Sequence, residues 1–191
     1  MSTASTPPPQ ALAIPLYRRV LGASFDRLPP MVRALHDLDG SAVWSGRADV
    51  ERGTHPNCRL IAAIARLPPT GSDQPLTVSF TAAGDAECWH RMFGSRVFPS
   101  LQRAGHGGIL ERIGPAVITL VPQADATGLG LTVSRLTVFG MPMPRALVPI
   151  VATREHEADG RYRFEVEARL PHFGRLVRYA GWLAPIDTPP T

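Results

Sequence analysis

The segment Glu157-Ala158-Asp159-Gly160-Arg161, with the strand that follows it to Leu170, gives the clearest indication of the fold. Asp-Gly supplies the positive φ angles that a tight hairpin turn requires. After the turn the side chains alternate between two faces: Tyr162, Phe164, Val166, Ala168 and Leu170 on one, and Arg161, Arg163, Glu165, Glu167 and Arg169 on the other. This alternation predicts an antiparallel strand with one buried and one solvent-facing side.

The same period-two alternation runs from Gln74 to Leu183 and also covers residues 42–53. Short turns separate the segments, and no alternation of strands with long helices is visible, which disfavours a doubly wound fold. We therefore expect an α+β protein of mainly antiparallel β structure. Because closure removes open sheet edges, a curved sheet or barrel of about eight strands is predicted.

Two or three short helices are predicted near the N-terminus, at residues 15–22, 30–38 and 58–67, where apolar side chains recur at helical spacing. Asn57 is the expected N-cap of the third helix. Residues 1–14 contain three consecutive prolines and are predicted to form a disordered tail. Residues 15–184 are then one domain, and residues 185–191 form a second tail.

Composition narrows the classes of partner. All 20 basic residues are arginine, and the net charge is +4, but the arginines are scattered among acidic residues, so we expect no nucleic-acid partner. Cys58 and Cys88 lack metal-ligand spacing, which predicts free thiols, no metal and no cofactor. The sequence shows neither a signal peptide nor a long apolar segment, so a cytoplasmic location without a membrane span is expected.

The segment Glu87-Cys88-Trp89-His90-Arg91-Met92-Phe93-Gly94 combines rings and charges on one strand face. Read as a strand, it places Glu87, Trp89, Arg91 and Phe93 together. Charges on otherwise apolar faces recur in later strands, at Glu111, Arg135 and Arg178.

A buried charge is costly unless it is paired, which leaves two non-catalytic interpretations open for these faces. One is a core ion pair of Glu111 with Arg135 or Arg91. The other is a cavity for a small molecule, with candidate site residues Trp89, Arg91, Phe93, Glu111, Arg135, Phe139 and Arg178. In a third interpretation Glu111 or Glu87 acts as a general acid or base, although the sequence offers no second catalytic group.

Several segments together resemble the bacterial domain of unknown function 4166 family, over about residues 16–184. The segments that carry the resemblance are Leu16-Tyr17, Val20-Leu21-Gly22, Trp89, Arg91, Phe93-Gly94, Phe98, Ser100, Leu110-Glu111-Arg112, Gly114-Pro115, Gly128-Leu129, Gly140-Met141-Pro142-Met143-Pro144, Asp159-Gly160-Arg161, Phe164, Val177-Arg178-Tyr179 and Gly181.

The resemblance implies no activity and no catalytic residues. Domains of this kind occur alone or joined to a Rossmann-type oxidoreductase domain that resembles saccharopine dehydrogenase. From the strand faces that mix rings and charges, we expect a small-molecule binding module for an amphipathic or apolar ligand, which could be anionic. The alternatives are an accessory domain that docks on a separate oxidoreductase, and an enzyme that uses Glu111 as acid or base.

Overall fold

In the computed structural model, which describes residues 14–186, ten antiparallel strands form a closed barrel. Consecutive strands pair from β1 to β7, β7 pairs with β9, and β11 returns to β1. The predicted mainly antiparallel barrel with short N-terminal helices is confirmed, but ten strands form the ring rather than about eight. The strands are β1 (Ser41–Arg52), β2 (Gly71–Ala83), β3 (Ala86–Phe93), β4 (Arg96–Gly105), β5 (Gly108–Ile113), β6 (Ala116–Asp125), β7 (Gly128–Val138), β8 (Met141–Pro142), β9 (Ile150–Ala158), β10 (Arg161–Leu170) and β11 (Gly174–Pro185).

One short strand lies outside the ring, and one pair of neighbouring strands within the ring approaches unusually closely. The short strand β8 pairs only with the end of β7, so it lies outside the closed barrel. On the seam between β1 and β11 the backbones approach so closely that a Cβ on Gly46 would overlap the carbonyl oxygen of Trp182. Glycine at this position therefore permits the close approach of β1 and β11.

The helices are α1 (Leu16–Leu21), α2 (Pro30–His36) and α3 (Pro56–Ile64), with a 3₁₀ segment at Gly22–Arg27 between the first two. Proline at the first position favours the start of α2 and α3. The N-cap of α3 is His55, whose ring accepts a hydrogen bond from the Asn57 amide, so the predicted cap at Asn57 was wrong. Both tail predictions lie largely outside the described residues, although Pro185 belongs to β11.

The barrel has two different ends. At the closed end, α1, the 3₁₀ segment and α2 lie across the turns at residues 84–85 and 159–160. Arg19 donates to the Asp85 carbonyl at 2.8 Å, and the Met31 amide donates to the Glu157 carboxylate at 2.8 Å, which ties the helices to those turns. At the open end lie α3, the turn at residues 114–115 and the connection 139–149.

Candidate functional site

The inner faces of the strands enclose a cavity of about 490 Å³. Its walls are mostly apolar and include Leu76, Val78, Phe93, Phe98, Leu120, Leu131, Phe164, Val166, Ala168 and Leu183. Tyr17 of α1 and Leu35 of α2 reach it from the closed end. At the open end, Ile61, Ile64 and Leu147 both line the cavity and contact solvent, so the cavity opens there.

An ion pair stands inside the barrel, on the strands β3 and β5. Arg91 Nη2 donates to Glu111 Oε1 at 3.3 Å, and Arg91 Nη1 donates to Ser100 Oγ at 2.8 Å. The guanidinium carbon also lies 4.7 Å from the centre of the Trp89 ring, which is within cation–π distance. Arg91 is therefore held by an anion, a hydroxyl and a ring at once, with little freedom to move.

The same carboxylate links the barrel wall to the helices. Gln102 Nε2 donates to Glu111 Oε1 at 3.1 Å, and the Tyr17 hydroxyl donates to Gln102 Oε1 at 3.1 Å. Glu111 thus accepts hydrogen bonds from both Arg91 and Gln102. These contacts are those expected of the carboxylate in a buried ion pair.

A second buried carboxylate, Glu87, anchors α1. It accepts a hydrogen bond from the Leu16 amide at 3.1 Å and another from Trp89 Nε1 at 3.2 Å. The amide at a helix start has no partner within its own helix, so Glu87 satisfies a group that burial would otherwise leave unpaired.

A third carboxylate, Glu155 of β9, pairs with a histidine of α2. His36 is fully buried, and its Nε2 lies 2.6 Å from Glu155 Oε2. The His36 ring stacks on Tyr17 at 3.8 Å between centroids, while its Nδ1 has no hydrogen-bond partner among the described residues. Polar side chains that line the cavity are Tyr17, Arg91, Gln102, Glu111, Glu155 and Tyr162. Together with Glu87 and His36, which contact Trp89 and Glu155 respectively without lining the cavity, they are called the polar floor.

The phenols beside this floor are strongly perturbed. Burial raises the pKa of Tyr17 and of Tyr162 well above the usual value, and the negative charge of Glu155 raises both further. Burial raises the pKa of Tyr179 to about 12. These shifts share a physical cause, since an enclosed and carboxylate-rich space disfavours a phenolate.

Four of the seven candidate site residues lie together inside the barrel: Trp89, Arg91, Phe93 and Glu111. The first three occupy one face of β3, as the alternation predicts, and Glu111 reaches them from β5. Of the two arginines considered as partners for Glu111, Arg91 is the one that pairs with it.

Arg135 and Phe139 do not reach the cavity, because a β-bulge reverses the alternation of β7. Thr119 pairs with Arg135 but the next residue of β6 pairs with Val133, so Ser134 is an extra residue. Beyond the bulge the inward residues are Leu136 and Val138, which leaves Arg135 exposed. Phe139 lies in the turn that follows and is 79% exposed.

Arg178 lies on the outer face of β11. Its Nη2 pairs with Glu165 Oε1 at 2.7 Å, and its inward neighbours along the strand are Val177 and Tyr179. Simple alternation would place Leu176 on the same face as Arg178, but Leu176 is the extra residue of a second irregularity, between the pairs Ala168–Val177 and Arg169–Arg175. Arg178 therefore belongs to a surface ion pair.

The polar floor contains residues that the sequence interpretation did not select as site residues: Tyr17, His36, Gln102, Glu155 and Tyr162. Glu155 carried the same signal as Glu111, since it alternates with Val151 and Thr153 on the inner face of β9. His36 lies four residues after the buried Val32, so helical spacing could have indicated that both side chains face the barrel. Only the pairing of distant segments identifies them as one cluster.

No group of three or more His, Cys, Asp or Glu residues within 14–186 is arranged to hold a metal ion. Cys58 is buried, Cys88 is partly buried, and both are free thiols. Among the described helices, none is long and apolar enough to cross a membrane.

Comparison with known proteins gives one match. A family model described as "Domain of unknown function (DUF4166)" matches residues 28–183, which covers both the barrel and α2. No curated protein and no solved structure matches the chain.

Proposed function

The chain belongs to the DUF4166 family, whose description names no activity, and we propose that its barrel is a binding module for one small apolar molecule with an uncharged polar end. The observation that carries this proposal is the cavity of about 490 Å³, which is apolar along its walls and open at one end. Ligand sites typically have volumes of about 300–1,000 Å³ and combine apolar walls with a few convergent polar groups.

The polarity of the cavity gives the ligand an orientation. The polar side chains lie toward the closed end, where Tyr17 of α1 bonds to Gln102 and Glu155 of β9 pairs with His36 of α2. The open end is lined by aliphatic side chains such as Ile61, Ile64 and Leu147. We infer that the ligand enters with its polar end first and leaves its apolar part between the aliphatic walls and the opening.

The charge of the floor argues for an uncharged polar end. Two carboxylates line the cavity, Glu111 and Glu155, whereas Arg91 is the one arginine among the described residues that line it. Arg91 is already paired with Glu111. The expectation of an anionic ligand depended also on Arg135 and Arg178, and both lie outside the barrel, so we now favour a hydroxyl or amide.

Isothermal titration calorimetry with 1-decanol and with decanoate tests this proposal. We expect saturable one-site binding of decanol and at least tenfold weaker binding of decanoate, since a carboxylate would lie near Glu155 and would find Arg91 already paired with Glu111. Equal or tighter binding of decanoate would overturn the charge argument. No saturable binding of either compound would overturn the proposed function.

A matched pair of variants shows where the compound binds. Val166→Trp places a large ring inside the cavity, and Ala180→Trp adds the same ring on the outer face of the neighbouring strand β11. Decanol binding should be lost in the first variant and kept in the second, with circular dichroism confirming that both remain folded.

The accessory-domain hypothesis is the second candidate, and it is supported by exposed aliphatic side chains at the open end. Leu60, Ile61 and Ile64 of α3 are 61%, 38% and 64% exposed. A protein partner would cover this surface and block the cavity opening. Stable binding of a Rossmann-type oxidoreductase that masks α3 in hydrogen exchange, together with absent decanol binding, would favour this candidate over the first.

A further inference from the structure

We propose that the open end of the barrel docks on the surface of a membrane that contains anionic lipids, and that the cavity exchanges its ligand there. The docking part stands on surface chemistry alone. The exchange part rests on the proposed function above.

The first observation is an apolar rim around the opening, formed by Leu60, Ile61, Ile64 and Leu147. Leu60 and Ile64 are one helical turn apart on the solvent side of α3, and the opposite side of the helix buries Cys58 and Ala62. Leu147, from the connection between β8 and β9, is 51% exposed across the opening. Large aliphatic side chains grouped in this way commonly mark a contact surface.

The second observation is the charge around that rim. Six arginines at the open end form no ion pair with a carboxylate of residues 14–186: Arg52, Arg59, Arg66, Arg96, Arg112 and Arg145. The nearby carboxylates Glu51 and Glu167 are already paired with other arginines. Burial lowers the pKa of Arg52, and the positive charge of Arg96 lowers it further, so cations crowd together on this side.

The third observation is the opposite chemistry of the closed end. There Arg18 is paired with both Asp26 and Asp37, and Arg163 is paired with Asp159. Arg19, Arg27 and Arg103 also lie at the closed end without an ion pair, but Asp39, Asp85 and Asp125 lie at the same end and offset their charge. The excess of positive over negative charge is therefore greater at the opening. It surrounds side chains that gain free energy when they leave water.

Together these features fit an anionic bilayer better than a second protein. Arginines near an anionic headgroup layer are attracted to it, and aliphatic side chains can enter the boundary of the acyl chains. Because Ile61 and Ile64 also line the cavity, docking would bring the opening against the bilayer. An apolar ligand could then pass between bilayer and barrel without crossing water.

Vesicle sedimentation with the full chain tests the docking. Vesicles of phosphatidylcholine mixed with phosphatidylglycerol should bind the protein, and vesicles of phosphatidylcholine alone should bind it much more weakly. Arg59→Gln and Arg66→Gln should each weaken partitioning roughly fivefold, because a basic residue near an anionic surface contributes about that factor. Leu60→Ser/Ile64→Ser should weaken it as well.

The control is a double variant at the closed end, Arg27→Gln/Arg103→Gln, which removes two positive charges from exposed residues and is compared with Arg59→Gln/Arg66→Gln. This closed-end variant should keep most of its binding to the phosphatidylglycerol vesicles. If this control lost vesicle binding to the same extent, the binding would depend on net charge alone, which would overturn the proposal. So would equal binding to both kinds of vesicle, no binding to either, or self-association of the chain that Leu60→Ser/Ile64→Ser abolishes.

Decanol titration of the same variants separates this proposal from the proposed function. Arg59→Gln and Arg66→Gln, which lie outside the cavity lining, should weaken vesicle binding but keep decanol binding in solution. Vesicle binding without decanol binding would leave docking intact and overturn the ligand-binding function. Decanol binding without vesicle binding would leave the ligand-binding function intact and overturn docking.

Discussion

The two ends of this barrel are built from opposite chemistry. At the closed end, buried carboxylates accept hydrogen bonds from helices and strands, and Glu87 alone joins the start of α1 to Trp89. At the open end, aliphatic side chains and arginines face solvent without such partners. A structure gains little stability from exposed apolar groups, whereas a paired polar floor resists substitution. We therefore expect the closed end to contribute most to stability, while the proposed ligand and surface contacts use the open end.

The largest expected effect comes from breaking the internal ion pair. Arg91→Ala leaves Glu111 buried with an uncompensated charge and should reduce the free energy of unfolding by about 3–5 kcal/mol. Arg178→Ala breaks an ion pair on the outer surface and should cost at most about 1 kcal/mol. Urea unfolding of both variants measures the two changes in the free energy of unfolding. Equal decreases would contradict a special role for the interior ion pair.

The next largest effect on stability is expected at alkaline pH. All three tyrosines of the chain line the cavity, and each has a raised pKa. A raised folded-state pKa favours the neutral phenol, so this stabilisation is complete below the unfolded value near pH 10 and is lost as the pH rises beyond it. For Tyr179, with a folded pKa of about 12, the loss amounts to at most about 3 kcal/mol.

Absorbance of tyrosinate, followed together with circular dichroism, measures this dependence. No tyrosine should ionise with a midpoint near pH 10 in the folded protein, and ionisation should accompany unfolding. A tyrosine that titrates normally while the fold is intact would show that the floor is open to solvent.

A smaller effect is expected at the contact between α1 and the barrel. Tyr17→Phe removes the hydroxyl that donates to Gln102 Oε1 and leaves that oxygen buried without this donor. The free energy of unfolding should fall by about 1–3 kcal/mol. Thermal unfolding would measure it, and an unchanged melting temperature would mean that the floor does not stabilise the helices.

The smallest effect is expected at the rim. Ile64 is 64% exposed, so Ile64→Gln should change the free energy of unfolding by no more than about 0.5 kcal/mol. A loss comparable to that of Tyr17→Phe in the same thermal experiment would mean that the rim is part of the core, and the contrast between the two ends would fail.

The sequence predicted the inner face of β3 well, because strand alternation is local and that strand has no irregularity. It failed at Arg135, since one extra residue in β7 reverses the alternation and nothing in the adjacent sequence marks it. The polar floor could not be predicted as a unit. His36 and Glu155 lie 119 residues apart and meet only after the barrel closes and α2 covers its end.

The most direct test of the central claim is fluorescence quenching at Trp89, whose ring lines the cavity. In a Trp44→Phe/Trp182→Phe variant it is the one remaining tryptophan of the chain. Titration with a bromine-labelled decanol should quench its emission saturably, with one site per chain, and unlabelled decanol should reverse the quenching. Quenching that stays linear and matches that of free indole in solution would contradict an accessible ligand cavity.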